Sequence, residues 1–166
     1  MATSWPQDIP QGSQKARLLA TLGTLDIKPE IRAYTSGTRD PDHGVFCKNI
    51  LLKDRKGQFY LLTFQEDKSL DLKKLKKDLN AYRNFSFASS EELLSLLGVE
   101  PGFVSPFGLM FDTEQAVKFV LDEDLLHSRE SLNFHPFNKT ETCLMSAVQL
   151  QLFCKSMKRH IHVVKC

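Results

Sequence analysis

The 166 residues carry 22 Lys and Arg against 20 Asp and Glu, a net charge of +2. That balance excludes a generally basic nucleic-acid binder, so any RNA-binding face must come from local clustering, and neither DNA nor a membrane is an expected partner. With 42% apolar and 25% charged residues and no stretch of membrane-spanning length, the chain has the composition of one globular domain.

Residues 1–12 are polar and hold Pro6, Pro10 and Gly12; they read as a loose tail on which Trp5 docks, ahead of a single domain over 13–166. Ser13 caps a helix running to Gly23, with Ala16, Leu19 and Leu22 on one face. Residues 27–34 read as extended, and 35–44, dense in Gly, Asp, Pro and Thr, as loop. Two strand-like runs, 45–54 and 58–64, are joined by the hairpin turn Asp54-Arg55-Lys56-Gly57. Residues 69–79 place Leu72, Leu75 and Leu79 on one helical face and turn Lys73, Lys74, Lys76 and Lys77 elsewhere. Four such lysines are ordinarily a solvated face; on an RNA-binding protein they become a steering patch for phosphates.

A short strand at 85–88 precedes Ser89 and Glu92, the capping-box pair ahead of Leu93, Leu94, Leu96 and Leu97. Further strands are expected at 107–111, 116–121, 132–135, 142–145 and 161–164, with a last helix over 146–157 opened by Ser146 and Gln149. This is an α/β (α+β) pattern, with too many short strands and too few helices for a doubly wound sheet.

The stretch 98–109 holds three glycines and two prolines and cannot be helix interior or central strand. Gly98 closes a helix, Pro101-Gly102 makes a turn in which Gly102 takes positive φ, and Pro106 fixes the exit. Such a loop either connects helix to strand rigidly or holds backbone N–H groups against a ligand oxygen. Lys48 shares an apolar strand face with Phe46 and Ile50; it is either a snorkelling edge lysine or a cation placed to meet a phosphate. Asn49 offers a donor and an acceptor suited to a ribose hydroxyl or an amino group, or is simply a surface residue. His135, held extended by Pro136, reads as a hydrogen-bonded structural residue or a pocket residue. Cys47, Cys143, Cys154 and Cys166 have neither paired zinc spacing nor a disulfide-dense pattern, so they read as reduced thiols of a cytoplasmic protein with no metal site and no cofactor. No nucleophile stands out: a Gly-x-Ser-x-Gly elbow is missing, and neither Ser105 nor Cys47 has an evident base.

Four pieces of sequence resemble the YbaK and prolyl-tRNA-synthetase-associated family of aminoacyl-tRNA editing domains. They are Cys47-Lys48-Asn49-Ile50-Leu51-Leu52-Lys53-Asp54, Phe85-Ser86-Phe87-Ala88, Gly102 to Pro106 as Gly-x-x-x-Pro, and Phe134-His135-Pro136 followed by Thr140 and Thr142. The resemblance implies a mixed, barrel-like sheet surrounded by helices. It also implies a metal-independent, trans-acting deacylase that hydrolyses the ester of mischarged tRNA(Pro), with Ala-tRNA(Pro) the expected substrate. It assigns Lys48 to the terminal adenosine of the acceptor end and Gly102 to the catalytic loop. Asn49, Phe103, Ser105, Pro106 and His135 line the substrate pocket in this reading. Partners implied are the acceptor end of a mischarged tRNA and either prolyl-tRNA synthetase or an elongation factor. One departure is that residues 35–47 read as loop where relatives carry a helix that walls the pocket. The alternatives are a non-catalytic RNA- or synthetase-binding module that retains the fold, and a hydrolase of another small ester.

Overall fold

The structure, a computed structural model, describes residues 13–35 and 44–166; the tail with Trp5 and most of the 35–44 loop lie outside the described residues. Its organising unit is an antiparallel hairpin of β2 (Val45–Lys53) and β3 (Phe59–Gln65), in register from Cys47↔Gln65 to Lys53↔Phe59. The expected turn joins them. Asp54 builds it by accepting N–H groups from Lys56 at 2.9 Å and Gln58 at 3.0 Å, and it ties in Tyr82 N–H at 3.2 Å.

From β3 the sheet continues in parallel through β5 (Val117–Asp122) to β8 (Ile161–Val164). The other edge of β2 is shared. Val45 and Phe46 pair in parallel with β6 (Leu132–Phe134), whereas Leu52 and Lys53 pair antiparallel with β4 (Ser86–Phe87). Beyond β6 come β7 (Glu141–Met145) and β1 (Glu30–Ala33), both antiparallel. The result is the expected mixed sheet, with eight strands among the described residues.

Two apolar clusters cover its faces. The larger gathers Leu18 and Leu22 of α1 (Ser13–Thr24), Leu93 and Leu97 of α3 (Ser90–Leu97), and Leu150 and Phe153 of α5 (Ala147–Ser156) against Leu61, Phe119 and Phe134. The smaller packs Leu75 of α2 (Leu72–Leu79) on Leu52, Tyr60, Leu62, Phe64 and Val120. Covered on both sides, β3 is buried through its interior, which is why its sequence is a continuous apolar run and not an alternating one. Three helix caps are as expected. Ser89 with Glu92, and Ser146 with Gln149, form capping boxes, and Gly98 ends α3 in the left-handed conformation.

Two expectations change. The buried face of α1 is Leu18 and Leu22, whereas Ala16 and Leu19 are exposed, because an alanine offers too little area to set the docking face. Ser13 is the first described residue of that helix, and the residues before it lie outside the described ones. Residues 107–111 are not a strand: Pro106–Phe111 form a 3₁₀-helix capped by Ser105, whose Oγ accepts the Phe107 N–H at 3.2 Å. Pro106 opens it with a fixed φ and no N–H to leave unpaired. A short helix, α4 (Glu123–Leu126), capped by Asp122, follows β5 where the sequence reading had no element.

Candidate active site

Between Phe46, where pairing with β6 ends, and Leu51, whose carbonyl accepts the Ala88 N–H at 2.9 Å just past β4, one edge of β2 has no strand neighbour. A cavity of about 350 Å³ opens at this gap. Because it meets a strand edge, residues of both faces of β2 line it: Phe46 and Lys48 of one, Cys47 and Asn49 of the other. Gly102, Val104, Phe134 and His135 line it as well, and Tyr34, Glu66, Asn133 and Thr142 complete the lining.

The two motif residues of β2 are prepared differently. Lys48 is exposed and has no carboxylate partner among the described residues. Asn49 faces Thr63 across the hairpin, and the Thr63 hydroxyl donates to its Oδ1 at 2.5 Å. That bond orients the carboxamide and leaves its NH₂ as the group to meet a ligand.

His135 directly follows β6. Its Nδ1 lies 2.8 Å from the Glu141 carbonyl oxygen, and since a carbonyl only accepts, Nδ1 carries the proton. Tyr34 meets the imidazole edge-on at 4.8 Å. Beneath them, buried Asn133 donates from Nδ2 to the Val45 carbonyl at 3.0 Å and accepts the Thr142 hydroxyl at 2.9 Å. The cavity floor is thus a satisfied polar network.

The Gly102 turn has the conformation its sequence requires. Phe103 N–H donates to the Glu100 carbonyl at 3.4 Å, closing a turn with Pro101 second and Gly102, at φ +104°, third. Gly102 and Val104 line the cavity; Phe103 packs on the larger core, and Ser105 and Pro106 are buried. The structure therefore brings Lys48, Asn49, Gly102 and His135 together, and places Phe103, Ser105 and Pro106 behind the wall as its support.

Tyr34, Glu66 and Asn133 escaped the sequence reading. Glu66 lies one step past the Cys47↔Gln65 pair and its N–H donates to the Phe46 carbonyl at 3.0 Å, a relation visible only once the register is known. Asn133 had a signal, being a polar residue inside the apolar run 132–134.

Burial pushes the Cys47, Cys143 and Cys154 thiols each up to about 12 and Cys166 up to about 11, so none supplies a thiolate near neutrality. Among the described residues no three His, Cys, Asp or Glu side chains are grouped so as to hold a metal ion. No helix among them is long and apolar enough to cross a membrane.

Residues 37–153 match the aminoacyl-tRNA editing domain family. The chain is 35% identical over 111 residues to prolyl-tRNA synthetase associated domain-containing protein 1 of Danio rerio, covering 66% of this chain and 60% of that one. It is 34% identical over 110 residues to the prolyl-tRNA editing protein ProX of Acetoanaerobium sticklandii, covering 66% of each. It therefore spans somewhat less than two thirds of the length of both. A crystal structure of a candidate trans-editing enzyme for prolyl-tRNA synthetase shares the fold, with a TM-score of 0.68 at 20% identity over 92% of this chain and 97% of that one.

Proposed function

The chain belongs to the aminoacyl-tRNA editing domain family, and on that premise we propose that it is a trans-editing deacylase hydrolysing the ester of mischarged tRNA(Pro), with Ala-tRNA(Pro) its preferred substrate. The observation that carries this is the cavity at the β2 edge, where Lys48, Asn49 and His135 converge on the Gly102 turn. A small aminoacyl group with part of its ribose fits a space of about 350 Å³ walled by Tyr34, Phe46 and Phe134. A synthetase cannot sterically exclude a smaller wrong amino acid, so a second, hydrolytic site answers a real chemical need.

In this reading the Lys48 ammonium holds a phosphate of the acceptor end, and Asn49 NH₂ meets a terminal ribose oxygen. Water adds to the ester carbonyl carbon. The negative charge that develops on the carbonyl oxygen is met by backbone N–H groups of Gly102 and Val104, the two loop residues at the cavity. Collapse breaks the ester C–O bond, the ribose hydroxyl leaves with a proton, and the amino acid departs as its carboxylate. A neighbouring terminal ribose hydroxyl assists the water, and no protein nucleophile or metal takes part. The acceptor end is the binding partner; prolyl-tRNA synthetase or an elongation factor is the protein that delivers it.

The test is a deacylation panel of several mischarged tRNAs, run with and without exhaustive chelation. Wild-type protein should clear Ala-tRNA(Pro) fastest and be indifferent to chelator, and Lys48→Ala should lose turnover while keeping its melting temperature. Binding without hydrolysis of any tRNA in the panel would favour the non-catalytic module instead. Loss of activity on chelation, restored by zinc, would remove the metal-free mechanism.

A further inference from the structure

The loop after His135 carries a cation that the motif residues do not include. Lys139 lies across the Gly102 turn: a Cβ built on Gly102 would stand 2.9 Å from Lys139 Cε and 3.2 Å from its Nζ. The loop beneath it is rigidly constructed. Asn138 Oδ1 accepts the Thr140 and Glu141 N–H groups at 3.0 and 2.9 Å, Asn138 Nδ2 donates to Glu141 Oε1 at 2.9 Å, and Lys15 pairs with the same Glu141 oxygen at 2.7 Å. Phe137, at φ +64°, sets its ring edge-on to Phe111 at 5.4 Å. The backbone of Lys139 is thus fixed by its loop, and its side chain reaches over Gly102, which lines the cavity; that side chain is exposed and its ammonium has no carboxylate partner among the described residues.

Building on the deacylase reading, we propose that Lys139 is a second phosphate-binding residue: with Lys48 on the β2 wall and Lys139 over the Gly102 wall, the cavity grips a single-stranded RNA end by its backbone from both sides. An ester seated at the Gly102 turn has anionic phosphate immediately upstream, and in a chain of net charge +2 only locally placed cations can hold it. Gly102 has a second use here. Without a side chain it lets the lysine stem lie across the turn, so Gly102→Ala displaces Lys139 as well as straining the backbone.

The experiment measures affinity for an uncharged acceptor-stem RNA ending in CCA as a function of salt, with deacylation of Ala-tRNA(Pro) followed in parallel on wild type. Lys139→Met keeps the stem over Gly102 and removes the charge; it should lower the magnitude of the log K against log [salt] slope by roughly 0.7, the contribution of one single-strand phosphate contact. Lys139→Arg should retain the slope, and so should Lys56→Gln, a charge removed at the hairpin turn. In a double-mutant cycle on RNA binding, Gly102→Ala and Lys139→Met should be less than additive. An unchanged slope in Lys139→Met, an equal fall in Lys56→Gln, or no binding of the RNA by wild type would each overturn the proposal. Wild type that binds the RNA and hydrolyses no ester fails the deacylase reading alone, since the slope still decides the role of Lys139.

Discussion

Cys47 stands in the cavity with a thiol, yet its chemistry argues against a covalent role. Burial holds its pKa up at about 12, and the Asn133 backbone N–H only partly offsets that. Hydrolysis should therefore survive iodoacetamide at neutral pH, and Cys47→Ser should retain most turnover; inactivation by the reagent that Cys47→Ser prevents would restore the thiol as a nucleophile. Single residues also show where sequence reasoning succeeds. Lys48 and Gly102 are conspicuous because each breaks a local rule, a charge in an apolar strand and a turn glycine beside proline. His135 is conspicuous for the proline after it. Glu66 breaks no rule at the end of a strand; only pairing with β2 brings it to the cavity. Ser105 misleads in the other direction. It sits inside the motif loop, but its hydroxyl is spent on capping the 3₁₀-helix.

That 3₁₀-helix anchors the loop that presents Gly102. Its far end is clamped by a buried pair: Arg159 donates to Asp112 Oδ2 at 3.1 Å, and also to the carbonyls of Val117 at 2.7 Å, Asp112 at 3.0 Å and Leu109 at 3.1 Å. Asp112 in turn accepts the Ala116 and Val117 N–H groups at 3.0 and 2.8 Å. Its middle lies on α3, where Gly108 leaves room for the Leu97 carbonyl, 2.8 Å from where a Cβ would stand. Removing one partner of a buried pair strands the other, so Asp112→Ala should cost about 3–5 kcal/mol in denaturant unfolding. A loss below about 1 kcal/mol would show that the clamp is not structural. The element was illegible beforehand because Phe107, Gly108, Leu109 and Phe111 are all buried. An all-apolar run shows neither a two-residue nor a 3.6-residue period, so propensity alone favoured a strand.

For the whole molecule, the mixed α/β class and the caps Ser89, Gly98 and Ser146 could be read from turn chemistry and apolar spacing, but strand order could not, since β2 takes three partners from distant parts of the chain. The hairpin turn at its end gives the fold a pH dependence. Burial alone would raise the Asp54 pKa, but the N–H groups of Gln58, Tyr82 and Lys56, with the Tyr60 hydroxyl, together outweigh it and hold the carboxyl below its usual 3.8. A folded-state value below the unfolded one means stabilisation that is fully present above the ordinary carboxylate range and lost as pH falls through the folded value. Melting temperature should therefore drop on acidification below about pH 4, and Asp54→Asn should be less stable at neutral pH with a shallower acid limb. An identical limb would assign the effect to other carboxylates. The open edge of β2 between Phe46 and Leu51 has its own consequence for evolution and design. The cavity exists where the sheet is unfinished, so a variant whose pairing of β6 with β2 ran on by two or three residues would gain ladder hydrogen bonds and fill it. Along this one edge, a sturdier sheet and an open cavity make opposite demands on the same backbone groups.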